Sequence, residues 1–99
     1  MSAAPELPAL PPELERWRGE VEEIDRALVD LIAKRVAVAR EIGRVKKAHG
    51  LPTLDPPREA AVVRRAGALA REAGLEDEDV RYIFWHLVGL TRRTQMEES

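Results

Sequence analysis

Apolar residues recur at alternating steps of three and four from Leu14 through Trp17, Val21, Ile24, Leu28 and Leu31, and the rhythm resumes at Val38, Ile42 and Val45. This spacing predicts one long amphipathic helix whose apolar seam packs against other helices. The seam position between the two runs is Arg35. A guanidinium in an apolar seam needs an anion, because desolvating it unpaired costs several kcal/mol. Either a carboxylate of the protein or a carboxylate of a ligand has to meet it.

The punctuation of the chain sets the element boundaries. Prolines 5, 8, 11, 12 and 52 fall in an N-terminal tail or in the first loop, and Pro56 and Pro57 follow Asp55, so no proline interrupts a helix interior. Residues 1–12 read as a flexible tail. The first helix runs from about Glu13 to about Ala48 and closes with Gly50 in the C-terminal cap region, leaving Leu51 to Leu54 as a loop. Asp55 reads as an N-cap with Pro56 at the first helical position, which starts a second helix that continues to Ala73 and stops at Gly74. A third begins at Asp77 or Asp79 and ends near Met96. No run of alternating apolar and polar residues competes for strand, so the predicted class is all-α, a three-helix protomer.

The length of the first helix decides the expected assembly. About 36 residues at 1.5 Å each span roughly 54 Å, against a radius of gyration of about 13 Å for a compact chain of this size. Two shorter helices cover only part of such a seam. The economical completion is a second copy packed antiparallel, giving an intertwined helical homodimer.

Composition narrows the partners. Ninety-nine residues with 44% hydrophobic content fit a single small domain, here residues 13–99. Charged residues are 34% of the chain but nearly cancel, to a net charge of -2, without the net basicity of a nucleic-acid footprint. No apolar run is long enough for a membrane span, and the start of the chain lacks a basic segment leading into an apolar one. The expectation is a cytoplasmic protein that binds neither nucleic acid nor membrane. With no cysteine, and serine only at Ser2 and Ser99, nucleophilic catalysis by either has no carrier. His49 and His86 have no metal-ligand spacing, so no metal and no cofactor is expected. His49 suits the negative end of the first helix, and His86, between Trp85 and Leu87, reads as structural.

Helical spacing then places the polar residues. Positions 35, 39, 42 and 46 share one face, with Arg35 and Lys46 about 16 Å apart along the axis, close enough for two long side chains to converge on a small anion. Arg18 lies 17 residues before Arg35. That is about 25 Å along a straight helix and most of a turn away in rotation, so Arg18 reaches the same site only from an antiparallel partner. Thr91 and Gln95 share a face of the third helix, and Arg58 and Glu59 lie at the N-terminal end of the second, where anions and hydroxyls are favoured.

Together these residues carry a resemblance. The run from Arg18 to Asp25 ending in Ile-Asp, Leu-Ile-Ala-Lys-Arg ending at Arg35, Ile-Gly-Arg-Val-Lys ending at Lys46, Gly-Leu-Pro at 50–52, Asp-Pro-Pro-Arg-Glu from Asp55 to Glu59 and Thr-Arg-Arg-Thr-Gln ending at Gln95 follow in order over residues 14–96. In this they resemble the all-helical, AroQ-type chorismate mutases. The resemblance implies a dimer of three-helix protomers with two active sites, each borrowing an arginine from the other chain. It implies that Arg35 and the partner's Arg18 bind the two carboxylates of chorismate, with Arg58 assisting and Thr91 supplying a hydroxyl. It further implies that Lys46 and Gln95 donate hydrogen bonds to the ether oxygen, while Glu59 and the backbone at Asp55 hold the ring hydroxyl. The implied reaction is a unimolecular rearrangement to prephenate with no covalent intermediate and no proton transfer, belonging to phenylalanine and tyrosine biosynthesis. Whether another enzyme of the shikimate pathway binds the chain is left open.

Taken one at a time, the same residues have plainer explanations. Arg35 paired with an internal carboxylate such as Glu59 would make the chain a non-catalytic dimerisation module. Lys46 beside Lys47 is otherwise a solvated helix end, Asp55 a cap, Gln95 a surface residue, and Trp17, Phe84 and Trp85 core or dimer contacts. Arg92 departs from the family pattern, since the resemblance implies an apolar side chain there beside the substrate ring. It keeps open isochorismate pyruvate lyase or aminodeoxychorismate mutase activity on the same scaffold, although the intact stretch from Asp55 to Glu59 and Gln95 favour the mutase.

Overall fold

A computed structural model describes residues 9–98. They form three helices: α1 over Pro12–Ala48, α2 over Pro56–Glu72 and α3 over Asp77–Glu98. The expected tail falls largely on residues 1–8, which lie outside the described residues, and Pro12 already belongs to α1. Pro12 fits there because a first-turn position has no helical partner for the missing N–H.

The helix ends follow from local chemistry. Glu13 and Glu15 occupy the first turn of α1 and Lys46 and Lys47 its last, both matching the helix dipole. Gly50 takes φ +64° just beyond the end, its N–H donates to the Lys47 carbonyl at 3.2 Å, and the Leu51 N–H donates to the Lys46 carbonyl at 2.8 Å. That pair of bonds is a Schellman motif, and its left-handed position explains the glycine. The same motif closes α2, where Gly74 has φ +75°, its N–H donates to the Arg71 carbonyl at 3.1 Å, and Leu75 donates to Ala70 at 2.8 Å. At the start of α2 the Asp55 carboxylate accepts the Arg58 N–H at 3.2 Å, with Pro56 and Pro57 in the first two helical positions.

The chain divides between Leu31 and Ile32 into two compact units that share α1. In the unit from Ile32 onward the buried hydrophobic residues are small, Ala39, Ala66, Ala70 and Val88, joined by Gly43, Gly67, Thr91 and Thr94. Small residues let helix backbones approach closely. At Gly67 the approach is specific: a Cβ there would lie 2.5 Å from Arg81 Nε, so the glycine leaves room for the Arg81 side chain against α2. Among the described residues before Ile32 none is buried, and Trp17, Ile24 and Leu31 are 54%, 56% and 59% exposed. No helix among the described residues is long and apolar enough to cross a membrane.

Candidate active site

Three helix faces meet around a cavity of about 480 Å³. The C-terminal half of α1 contributes Arg35, Val38, Ala39, Ile42 and Lys46, the N-terminal end of α2 with its cap contributes Asp55, Arg58, Glu59 and Val62, and α3 contributes Val88, Thr91, Arg92 and Gln95. Within each group the steps of three and four set the residues on one face, so ordinary helical periodicity aims them at one space. The volume is that of a small-molecule site, with apolar walls and a few convergent polar groups.

Arg35 is half-buried, and burial pushes its pKa below the ordinary arginine value. Its Nη1 donates to Thr91 Oγ1 at 2.8 Å. Thr91 in turn sits 3.1 Å and 3.2 Å from the carbonyls of Leu87 and Val88, which accept its hydroxyl proton and leave the oxygen lone pairs for Arg35. Among the described residues no carboxylate meets this guanidinium, so the internal ion pair with Glu59 does not form. A neutral hydroxyl fixes the orientation of the charge without neutralising it.

Lys46 and Gln95 form the second group. Lys46 Nζ donates to Gln95 Oε1 at 2.8 Å and to the Thr53 carbonyl at 2.9 Å, using two of its three donors. Because the amide oxygen of Gln95 is taken by the ammonium, the donor side of the amide is its free end. One N–H of Lys46 and the amide N–H groups of Gln95 therefore remain for a ligand. The Thr53 carbonyl belongs to the loop between α1 and α2, and nothing in the type or spacing of that residue marks it as the lysine's anchor.

Arg92 and Glu59 make the third. Arg92 Nε and Nη2 donate to the two Glu59 carboxylate oxygens at 2.9 Å and 2.7 Å, a bidentate pair joining α3 to α2. The hydrogen bond and charge of Glu59 hold the Arg92 pKa above its ordinary value. Arg92 thus turns into the pocket, and each Glu59 oxygen already accepts one of its N–H groups. At Asp55 the carboxylate is used as a cap and the carbonyl accepts the Glu59 N–H at 3.0 Å, which leaves its N–H as the backbone group outside the ladder of α2. The Arg58 side chain lines the same cavity.

Of the residues to which the resemblance gives a role toward the substrate, all but Arg18 line this one cavity. Arg18 Nη1 donates to Glu15 Oε1 at 3.2 Å, an exposed pair one helical turn apart. His49 Nδ1 lies 3.0 Å from the Val45 carbonyl oxygen, and His86 packs edge-on to Tyr82 with ring centroids 4.8 Å apart. Neither histidine lines the cavity, and no group of three or more His, Cys, Asp or Glu among the described residues is placed to hold a metal ion. The cavity also has an apolar lining at Val38, Ile42, Val62 and Val88, of which the sequence pattern marks only Val38 and Ile42, as part of the helix-packing seam.

Comparison with known proteins agrees with this geometry. Residues 17–96 match the family described as Chorismate mutase type II. The chain belongs to that family. It is 28% identical over 85 residues to the chorismate mutase of Methanocaldococcus jannaschii, covering 86% of each chain. It is 35% identical over 65 residues to the 4-amino-4-deoxychorismate mutase of Streptomyces venezuelae, covering 66% of this chain and 63% of that one. The chain spans only 16% and 14% of two other curated relatives that it matches. A solved structure, a conserved hypothetical protein from Pyrococcus furiosus, superposes with a TM-score of 0.71 at 32% identity, covering 86% of this chain and 97% of that one. Every residue lining the cavity lies within the span matched to the chorismate mutase family.

Proposed function

We propose that this pocket binds chorismate and accelerates its unimolecular Claisen rearrangement to prephenate. The observation that carries the reading is Arg35, a half-buried guanidinium oriented by a neutral hydroxyl and met by no carboxylate among the described residues. A site built this way is short of one anion, and a substrate carboxylate supplies it. Arg58 adds positive charge to the same cavity, and Val38, Ile42 and Val88 offer a surface for an apolar ring.

The reaction transfers no proton and forms no enzyme adduct, so the work falls to two effects. The first is to hold the chair-like conformer, with its carboxylates clamped against Arg35 and the partner's Arg18, Arg58 assisting, and its ring against the apolar wall. The second is to stabilise negative charge growing on the ether oxygen as the C–O bond breaks. The remaining donors of Lys46 and Gln95 are oriented before the substrate arrives, which is where an electrostatic effect is strongest. A millionfold acceleration would need about 8 kcal/mol from the two together.

The active unit in this reading is an antiparallel homodimer. The exposed apolar stripe of α1, from Trp17 to Leu31, supports a second copy as its cover, and the exposed pair that Arg18 makes with Glu15 is weak enough to give way when Arg18 completes the partner's site. The test is direct. Purified protein incubated with chorismate should yield prephenate by NMR, isochorismate should be a poor substrate, and Arg35→Ala should lower kcat/KM by roughly a thousandfold or more with helicity unchanged. Unchanged chorismate turnover in a folded Arg35→Ala protein would leave the arginine as a structural group and the pocket without this role.

A further inference from the structure

The two carboxylates of the pocket are both already engaged. Asp55 accepts the Arg58 backbone N–H as the cap of α2, and both oxygens of Glu59 are held by the Arg92 guanidinium. Four cationic side chains line the same cavity, Arg35, Lys46, Arg58 and Arg92. A ligand group with a positive charge therefore finds four like charges and no carboxylate with both oxygens open. The Arg92–Glu59 pair is also partly shielded, with side chains 33% and 22% exposed, so its charges are less screened than those of the exposed Arg18–Glu15 pair.

Chorismate and 4-amino-4-deoxychorismate share both carboxylates and the ether bond and differ at one ring substituent. In the first it is a neutral hydroxyl, in the second an ammonium. A hydroxyl needs no counter-charge and can donate to a lone pair that Glu59 keeps, whereas an ammonium would have to share Glu59 with the Arg92 guanidinium, a like charge beside it, and so recovers less than the hydration it loses. Resting on the proposed function above, we propose that Arg92 is a specificity-determining residue that closes Glu59 to cationic ring substituents and so restricts the pocket to the hydroxyl-bearing substrate. The restriction holds across the working pH range. The guanidinium stays charged throughout, because Glu59 raises its pKa further. Arg92 acts through Glu59, which makes it a positioning residue and not a catalytic one.

The experiment measures kcat and KM of the full chain with both substrates, for wild type, Arg92→Leu, and Arg92→Leu combined with Glu59→Gln. Wild type should prefer chorismate. Arg92→Leu opens Glu59 and should raise the ratio of kcat/KM for the amine to that for chorismate by roughly tenfold or more, and adding Glu59→Gln should cancel the gain. Should the leucine variant lose helicity, Arg92→Gln, which is shorter and uncharged but keeps N–H donors, should shift the ratio in the same direction. A tether that merely joins α2 to α3 would lower both substrates together. A constant ratio in folded variants therefore overturns the proposal, as does a wild-type preference for the amine. Failure of wild type to convert either substrate would overturn the chorismate reading itself, an outcome distinct from a constant ratio in an active enzyme.

Discussion

Arg35, Lys46 and Gln95 matter through what their partners leave free. Thr91 orients Arg35 without cancelling its charge, and Lys46 takes the amide oxygen of Gln95 so that the amide's donor end remains. This arrangement carries a pH prediction. A glutamate in place of Gln95 donates only when protonated and, when ionised, sets negative charge against the oxygen on which negative charge develops. Activity of Gln95→Glu should therefore be low at neutral pH and recover as pH falls through the folded pKa of the introduced carboxylate, which the Lys46 ammonium lowers and burial raises. Stability should move the other way. An ion pair with Lys46 depresses that folded pKa, so its stabilisation is present above the unfolded pKa and lost as pH falls through the folded one. Rates of variant and wild type measured side by side across the acid range check this, and a constant ratio would remove Gln95 as the donor. At this scale the sequence was informative where spacing acts within one helix, as for Arg35 with Lys46 and Thr91 with Gln95. It was silent on Thr53, which acts through a backbone carbonyl, and on the direction of Arg92, whose partner Glu59 lies 33 residues away.

At the scale of elements, the helix boundaries were legible because each rests on local rules. Gly50 and Gly74 sit where left-handed backbone is required, Asp55 caps, and Pro56 and Pro57 occupy positions that need no N–H. The start of α1 came one residue earlier than expected, at Pro12, because proline is as acceptable in a first turn as in the tail. The role of Gly67 was not legible, since a glycine inside a helical pattern looks like a weakness until its neighbour is known. Its neighbour is Arg81, whose buried Nε has no hydrogen-bond partner and would lie 2.5 Å from an added Cβ. Gly67→Ala alone should therefore be near neutral, because shifting the Arg81 side chain offsets the gain in helix propensity of about 1 kcal/mol. In an Arg81→Ala background the same substitution should become stabilising by up to about 1 kcal/mol. Urea denaturation of the four proteins measures the coupling, and additive effects would show that Arg81 is not what Gly67 accommodates.

At the scale of the whole molecule, the seam that first marked the chain now has two parts. From Ile32 onward its polar interruption, Arg35, faces a pocket with α2 and α3, whereas from Trp17 to Leu31 its apolar residues lie exposed. The three-helix class followed from periodicity alone, and the pocket from periodicity joined to the ordered motifs. The exposed stripe is what the proposed second copy would cover, and a single chain's pattern implies such a copy only through the area left uncovered. The central claim joins both parts: each site rearranges chorismate using Lys46 of one chain and Arg18 of the other. It is tested most directly by mixing Arg18→Ala protein with Lys46→Ala protein, each inactive alone, under conditions where subunits exchange. In a heterodimer one site then keeps both wild-type groups and the other loses both, and with random exchange half of the dimers are mixed. Prephenate formation should return to about a quarter of the wild-type rate. If Arg18 served its own chain's site, neither site of the heterodimer would be intact, and a mixture that exchanges subunits yet stays inactive would contradict the claim.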